Sequence, residues 1–367
     1  MRTHLKIKIF LFLLLSIFLQ ASELSEESIK KMIGRMLVVG FNEEKITNKS
    51  QIYKDIKKYN LGGVILFDRY YIDRNRVKNI RSPKQLKELT SSLQKINKEN
   101  LIISVDQEGG KVARLKEAYG FNVTESAKKI GEKNDVKFAK SIYSSLANEL
   151  SKNGINCDFA PVVDLSVNEN NRVIFGLERS YGKSPQKVVK FANIFIYELK
   201  KRDVLSVLKH FPGHGSSLGD SHKGFVDVTQ TWSEKELEPY SLLIEKNRVD
   251  MIMTAHVFNK NLDEKYPATL SYKVNTEILR NKLGFKGVII SDDLQMKAIS
   301  RHYSLKKIVT LAINAGVNML LFGNQLANQN VDELIDTIYE QIKNKKIDFS
   351  KIEESNTLIA SLKKNEL

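Results

Sequence analysis

Three of the chain's six histidines, His210, His214 and His222, fall inside the stretch Lys209–His222, which reads KHFPGHGSSLGDSH; a fourth, His256, ends a later apolar run. Imidazole is the side chain that takes and gives protons near neutral pH. Asp220 stands two residues before His222. A carboxylate there would hold the ring in one tautomer and raise its proton affinity, which makes a general acid/base pair. The alternative is a surface loop in which neither group acts. Asp292 directly follows the apolar run Gly287–Ser291, with Asp293 beside it. Adjacent side chains at a strand end point in different directions, so one carboxylate faces the site while the other makes a structural hydrogen bond. The competing reading has both capping a helix that begins near Leu294. Asp292, nearer the strand, is the better placed to attack an electrophilic carbon or to stabilise a developing positive charge.

Asp106, Arg114, Arg179 and Lys209 are candidates for gripping a polar ligand. Hydroxyl groups both donate and accept hydrogen bonds, so a carboxylate beside cationic donors suits a hydroxyl-rich substrate. For the two arginines the alternative is an ordinary surface ion pair. Zinc needs three or four converging ligands, and no helical histidine pair with an intervening glutamate is present. His210 and His214 are four residues apart, but Pro212 and Gly213 break any regular helix between them. Neither a metal nor an organic cofactor is expected.

These residues need a frame that brings them to one place. Apolar runs recur at Met36–Phe41, Gly63–Phe67, Leu101–Val105, Ile155–Val163, Val204–Leu208, Met251–Ala255, Gly287–Ile290 and Val317–Phe322. Segments with helical spacing precede or separate them: Glu26–Gly34, Pro83–Lys98, Val136–Asn153, Pro185–Arg202, Ser233–Asn247 and Leu305–Gly316. Short buried strands alternating with helices imply a parallel sheet, and eight repeats suggest closure into a single-domain α/β (β/α)₈ barrel of the TIM type. A doubly wound open sheet is the runner-up, but it would want a glycine-rich phosphate turn after its first strand, where Phe41-Asn42-Glu43-Glu44 stands. In a barrel, Asp106, Asp164, Lys209-His210, His256 and Asp292-Asp293 each follow a strand and project from one rim. The charged connection 68–82, DRYYIDRNRVKNIRS, is expected at that rim's edge.

The 367 residues are enough for one such barrel. Arg2, Lys6 and Lys8 precede the apolar run Ile9–Leu19, the outline of a secretory signal over residues 1–22. The expected location is therefore periplasmic or at the cell surface; the alternative is tethering by an uncleaved N-terminus. That run is shorter than the roughly 20 residues of a bilayer span, so stable membrane insertion is not expected after signal removal. The barrel is assigned residues 23–349 and a charged helix or tail 350–367. The lone Cys157 excludes an internal disulfide and reads as a small buried side chain. The net charge of +15 is spread along the chain with no arginine-rich or aromatic-interleaved block, which argues against nucleic-acid binding and for a solvated lysine-rich surface.

Nine strings, taken in order, give the chain a resemblance to a known family. They are GGVILF (62–67), DQEGGKVAR (106–114), FAPVVDL (159–165), ERSYG (178–182), KHFPGHG (209–215), DSH (220–222), TAH (254–256), PATLS (267–271) and SDDLQM (291–296). The ordered set resembles the family 3 glycoside hydrolases, specifically the single-domain β-N-acetylglucosaminidases that recycle or trim peptidoglycan. The resemblance implies retaining hydrolysis through a covalent glycosyl intermediate, with Asp292 as nucleophile, His222 as acid/base and Asp220 orienting it. It assigns sugar binding to Asp106, Arg114, Arg179, Lys209 and His210. Lys111 stands where the family usually has arginine. The implied partner is an N-acetylglucosamine-containing glycan or muropeptide; β-glucosidase activity, a phosphorylase and an inactive peptidoglycan-binding barrel are the alternatives. The loop bearing His222 is expected to close on substrate, and so to lie away from Asp292 without it.

Overall fold

The computed structural model describes residues 24–96 and 99–366. The segment 1–22, expected to be a secretory signal, lies outside the described residues. Each apolar run forms a strand: β1 Leu37–Gly40, β2 Gly63–Ile65, β3 Ile102–Val105, β4 Cys157–Asp158, β5 Leu205–Phe211, β6 Met251–Thr254, β7 Val288–Ser291 and β8 Leu320–Phe322. All eight are parallel, in the order β7-β6-β5-β4-β3-β2-β1-β8. A bridge between Ile290 and Met319, with Met319 N–H donating to Ile289 at 3.0 Å, brings β8 back to β7 and closes the ring. Every strand residue is buried, as expected of strands covered by helices outside and by side chains inside.

The helices start where local chemistry allows. Ser82 and Ser184 cap the helices Pro83–Gln94 and Pro185–Lys200, their hydroxyls accepting from Gln85 N and Lys187 N, and proline occupies the first helical position of both. Asp135 caps Val136–Lys152 in the same way. Between β6 and the strand before it, the expected single helix is instead a tight turn Glu234–Leu237 running into Glu238–Ile244. Among the described residues no helix is long and apolar enough to cross a membrane.

Two strands differ from their apolar runs. β4 is short because Pro161 has no N–H to give the ladder, although Pro161 O still accepts from Lys209 N at 3.3 Å. β5 is longer, and so corrects the expectation that Lys209 and His210 lie after the strand: both belong to it, beside a register shift between Leu208 and Phe211. The last helix, Phe349–Glu366, packs Ile352, Ile359 and Leu362 into the core, and its Ser355 and Asn356 hydrogen-bond Asn318 and the carbonyl of Met32. Ile359→Ala is therefore expected to cost about 2–5 kcal/mol, read by urea denaturation; a loss below ~0.5 kcal/mol, the range of surface substitutions, would make that helix an appendage.

The connection 68–82 is a small hairpin-like excursion from the end of β2. Tyr70 N–H donates to Arg76 O, and Lys78 N–H returns to Asp68 O at 3.1 Å. It is fastened to the loop after β8, where Gln325 accepts from Tyr71 N and donates to Arg69 O, both at 3.0 Å. The fully buried Lys78 ammonium donates to Asn324 O and lies over the rings of Phe67 and Tyr70.

Candidate active site

The C-terminal ends of the strands carry a connected set of charges. Asp106, one residue beyond β3, accepts from Lys209 Nζ at 2.8 Å and from Arg114 at 3.1 Å. Glu108, two residues on, accepts from Lys209 at 2.7 Å and takes both arms of the Arg179 guanidinium at 2.7 Å. Burial pushes both carboxyls up, but the facing cations outweigh it and leave both below the usual carboxylate range. Burial pulls the Lys209 ammonium down, and Asp106 and Glu108 more than restore it. Lys209 is thus a charged group only 2% exposed, on the inner face of a strand.

Arg179 also donates to His210 Nε2 at 3.1 Å, while His210 Nδ1 meets Asp164 Oδ2 at 2.7 Å. Arginine has no acceptor, so Nε2 carries the lone pair and the ring proton sits on Nδ1, donated to Asp164. Asp164 also accepts the backbone N–H groups of His210 and His214. Below this turn Gly215 packs on Leu165, whose carbonyl oxygen would lie 1.8 Å from any added Cβ. Glu236 accepts from Gly215 N and Ser216 N; burial raises its carboxyl to about 7. His214 is buried with Nδ1 on Ser217 Oγ, and burial together with His210 lowers it to about 4. It is a neutral packing residue under the turn.

The two aspartates after β7 separate as one strand end demands. Asp293 makes the structural bonds: its Oδ1 accepts from Gln295 N at 3.0 Å, its Oδ2 lies where a side chain on Gly323 would sit, and burial raises it to about 6. Asp292 caps no helix, since the following helix is Lys297–Ser300 with Met296 at its cap position. Burial raises Asp292, but His256, His210, His222 and the N–H of Asp293 together hold it below the ordinary range, so it is ionised. Burial lowers the proton affinity of His256, whose Nδ1 meets Thr269 Oγ1 and whose Nε2 meets the carbonyl of Asp293.

His222 stands in the loop after β5, with Nδ1 against Asp220 Oδ1 at 3.1 Å and its backbone N–H on the same oxygen at 3.0 Å. This leaves Nε2 for proton transfer. Burial lowers the ring's proton affinity, but the bond to Asp220 and the charges of Asp292 and Asp220 outweigh it, so the net shift is upward. Asp220 is lowered, first by the same hydrogen bond. The loop is held rather than loose: Ser221 O accepts from Ala298 N, and Val226 and Val228 bond to Phe258. Ser221 thus ties the loop to the helix after Asp292, and the charge of Asp292 is among those that raise His222.

All eight expected site residues therefore gather at one end of the barrel, and neither arginine is a surface ion pair. Sequence reasoning missed Glu108, which links Lys209 to Arg179, as well as Glu236 and Tyr71, whose ring lies nearly parallel to His222 with centroids 6.4 Å apart. Glu108 carried a signal in its position two residues after Asp106. Glu108→Ala would strand the buried Arg179 guanidinium and leave Lys209 with Asp106 alone, so a loss of about 3–5 kcal/mol is expected on chemical denaturation. A change under ~1 kcal/mol would mean water reaches the guanidinium.

The profile of the Glycosyl hydrolase family 3 N terminal domain matches residues 28–362. A β-hexosaminidase from Nitrosomonas eutropha is 35% identical over 291 residues, covering 76% of this chain and 77% of that protein. Beta-hexosaminidase A of Pseudoalteromonas piscicida is 32% identical over 84% of this chain, which spans only 54% of that longer protein. Among solved structures, a glycoside hydrolase family 3 β-N-acetylglucosaminidase from Paenibacillus superposes with a TM-score of 0.82 at 30% identity, covering 91% of this chain and 62% of that one. With its barrel matched almost from end to end, the chain belongs to glycosyl hydrolase family 3.

Proposed function

We propose that the protein is an exo-acting β-N-acetylhexosaminidase that removes terminal β-linked N-acetylglucosamine with retention of configuration. The observation that carries this is the pairing of an ionised Asp292 with a His222 whose proton affinity Asp220 raises, at the mouth of one barrel. The names of the relatives support the sugar: they are β-hexosaminidases and a β-N-acetylglucosaminidase.

The steps follow from charge. Protonated His222 gives its proton to the leaving oxygen while Asp292 attacks the anomeric carbon, and the bond to the leaving sugar breaks with its electron pair on that oxygen. Neutral His222 then takes a proton from water as the water's oxygen attacks the glycosyl–aspartate bond and releases the carboxylate. Asp106, Arg114, Arg179, Lys209 and His210 grip the sugar hydroxyls: the cations donate and the carboxylate accepts. Their mutual ion pairs fix these groups before substrate arrives, so little ordering remains to be done on binding. The signal-like segment 1–22 supports export, and an exported enzyme of this kind would meet peptidoglycan fragments outside the cytoplasm.

The test is release of nitrophenol from the β-N-acetylglucosaminide and the β-glucoside, side by side, by protein lacking residues 1–22. Strong preference for the acetamido sugar is expected. Equal rates would replace this reading by a β-glucosidase, and activity on neither would sink it.

A further inference from the structure

We propose that Tyr71 is a specificity-determining residue for the leaving group, its ring taking the apolar face of the second pyranose ring. This rests on the reading of His222 as acid/base. A general acid must stand beside the glycosidic oxygen it protonates, so whatever flanks it on the open side borders the leaving sugar. Tyr71 flanks His222 with the two rings only 9° from parallel, and each is a little under half exposed (44% and 45%). A half-buried ring keeps one part against protein and offers the rest to a ligand. The carbon–hydrogen face of a pyranose is flat and apolar, and a tyrosine ring matches it at small cost in side-chain freedom.

The surroundings favour a platform over an incidental contact. Ile72, Leu218 and Phe225 are all solvent-exposed, and they sit next to Tyr71 in sequence or on the same loop as His222. Phe225 is itself fixed against Phe258 and His302. The excursion that carries Tyr71 is held from behind by Gln325 and by buried Lys78, which is more anchoring than a charged surface turn requires.

The experiment compares wild type, Tyr71→Phe and Tyr71→Ala on two substrates, N,N′-diacetylchitobiose and methyl β-N-acetylglucosaminide. Both leave as unactivated alcohols and need the proton of His222; only the first leaves with a ring. Tyr71→Ala is expected to lower kcat/KM for the disaccharide about three- to tenfold, mostly through KM, and to leave the methyl glycoside unchanged. Tyr71→Phe should behave as wild type on both. Equal losses on the two substrates would overturn the proposal and make Tyr71 a prop for His222, and no loss on either would overturn it outright. Wild-type protein that hydrolyses neither would instead sink the reading of the site, and this inference with it.

Discussion

Asp292→Gly is expected to lower turnover of an activated β-N-acetylglucosaminide by about 10⁴-fold or more, the scale on which other enzymes lose rate when a nucleophile is removed. No other group is placed to replace it. Asp293 is committed to Gln295 N and holds its proton more tightly, at about 6, while Asp292 is kept ionised by the histidines around it. Removing the carboxylate leaves a small space facing the anomeric carbon, which an added anion can enter. Azide should therefore restore part of the rate, and because it attacks from the face that Asp292 used, the product should be the α-glycosyl azide. Near-normal turnover in the variant would remove Asp292 as nucleophile. Rescue giving the β-azide would mean that azide has intercepted a glycosyl enzyme formed through some other group, and so would remove Asp292 as nucleophile.

The frame was legible in the sequence because its signal is local. Each strand lies in an apolar run of a few residues, and the helices Pro83–Gln94, Val136–Lys152 and Pro185–Lys200 start at a serine or aspartate and repeat with a period that any window shows. The reading failed where local and tertiary terms disagree. Lys209 and His210 ended the apolar run of β5 on paper, yet they continue the strand, because carboxylates 103, 101 and 46 residues earlier in the chain neutralise or hydrogen-bond them. A window centred on residue 209 holds none of those partners. The same distance hid Glu108, whose guanidinium partner comes 71 residues later.

The candidate site divides along the same line. Residues with a distinctive neighbour, such as Asp292 after its strand or Asp220 before His222, were found. Asp293 could be separated from Asp292 only by argument about strand direction; in the structure Asp293 accepts from Gln295 N, whereas Asp292 accepts from the adjacent N–H of Asp293. Tyr71 had no signal, since it lies in a charged stretch without period, and its meaning comes wholly from the ring it faces. Glu236 looked like any acidic helix residue until its place under Gly213 and Gly215 was known.

The second large effect concerns His222 and reads out in both leaving-group dependence and pH. His222→Ala is expected to slow alkyl glycosides and disaccharides by about 10²–10⁴-fold, the usual worth of general acid catalysis. An activated aryl group departs without a proton, so its first step should be nearly spared. Deglycosylation still lacks its base, so the aryl substrate should show a burst followed by a slow steady rate as the glycosyl enzyme accumulates. In wild type the acid must be protonated and the nucleophile ionised. Activity on a disaccharide should then fall as pH rises through the His222 value, above its ordinary 6.5, and fall on the acid side only below the ordinary aspartate value of 3.8. Asp220→Asn removes the charge and weakens the hydrogen bond that raise His222, leaving burial, which lowers it, as the dominant influence. The alkaline limb should therefore move to lower pH while the acid limb stays where Asp292 sets it. Stopped-flow bursts and pH profiles of kcat/KM for the two variants decide the matter: equal first-step losses on both substrate types would end the acid role of His222, and an unmoved alkaline limb in Asp220→Asn would end the pairing.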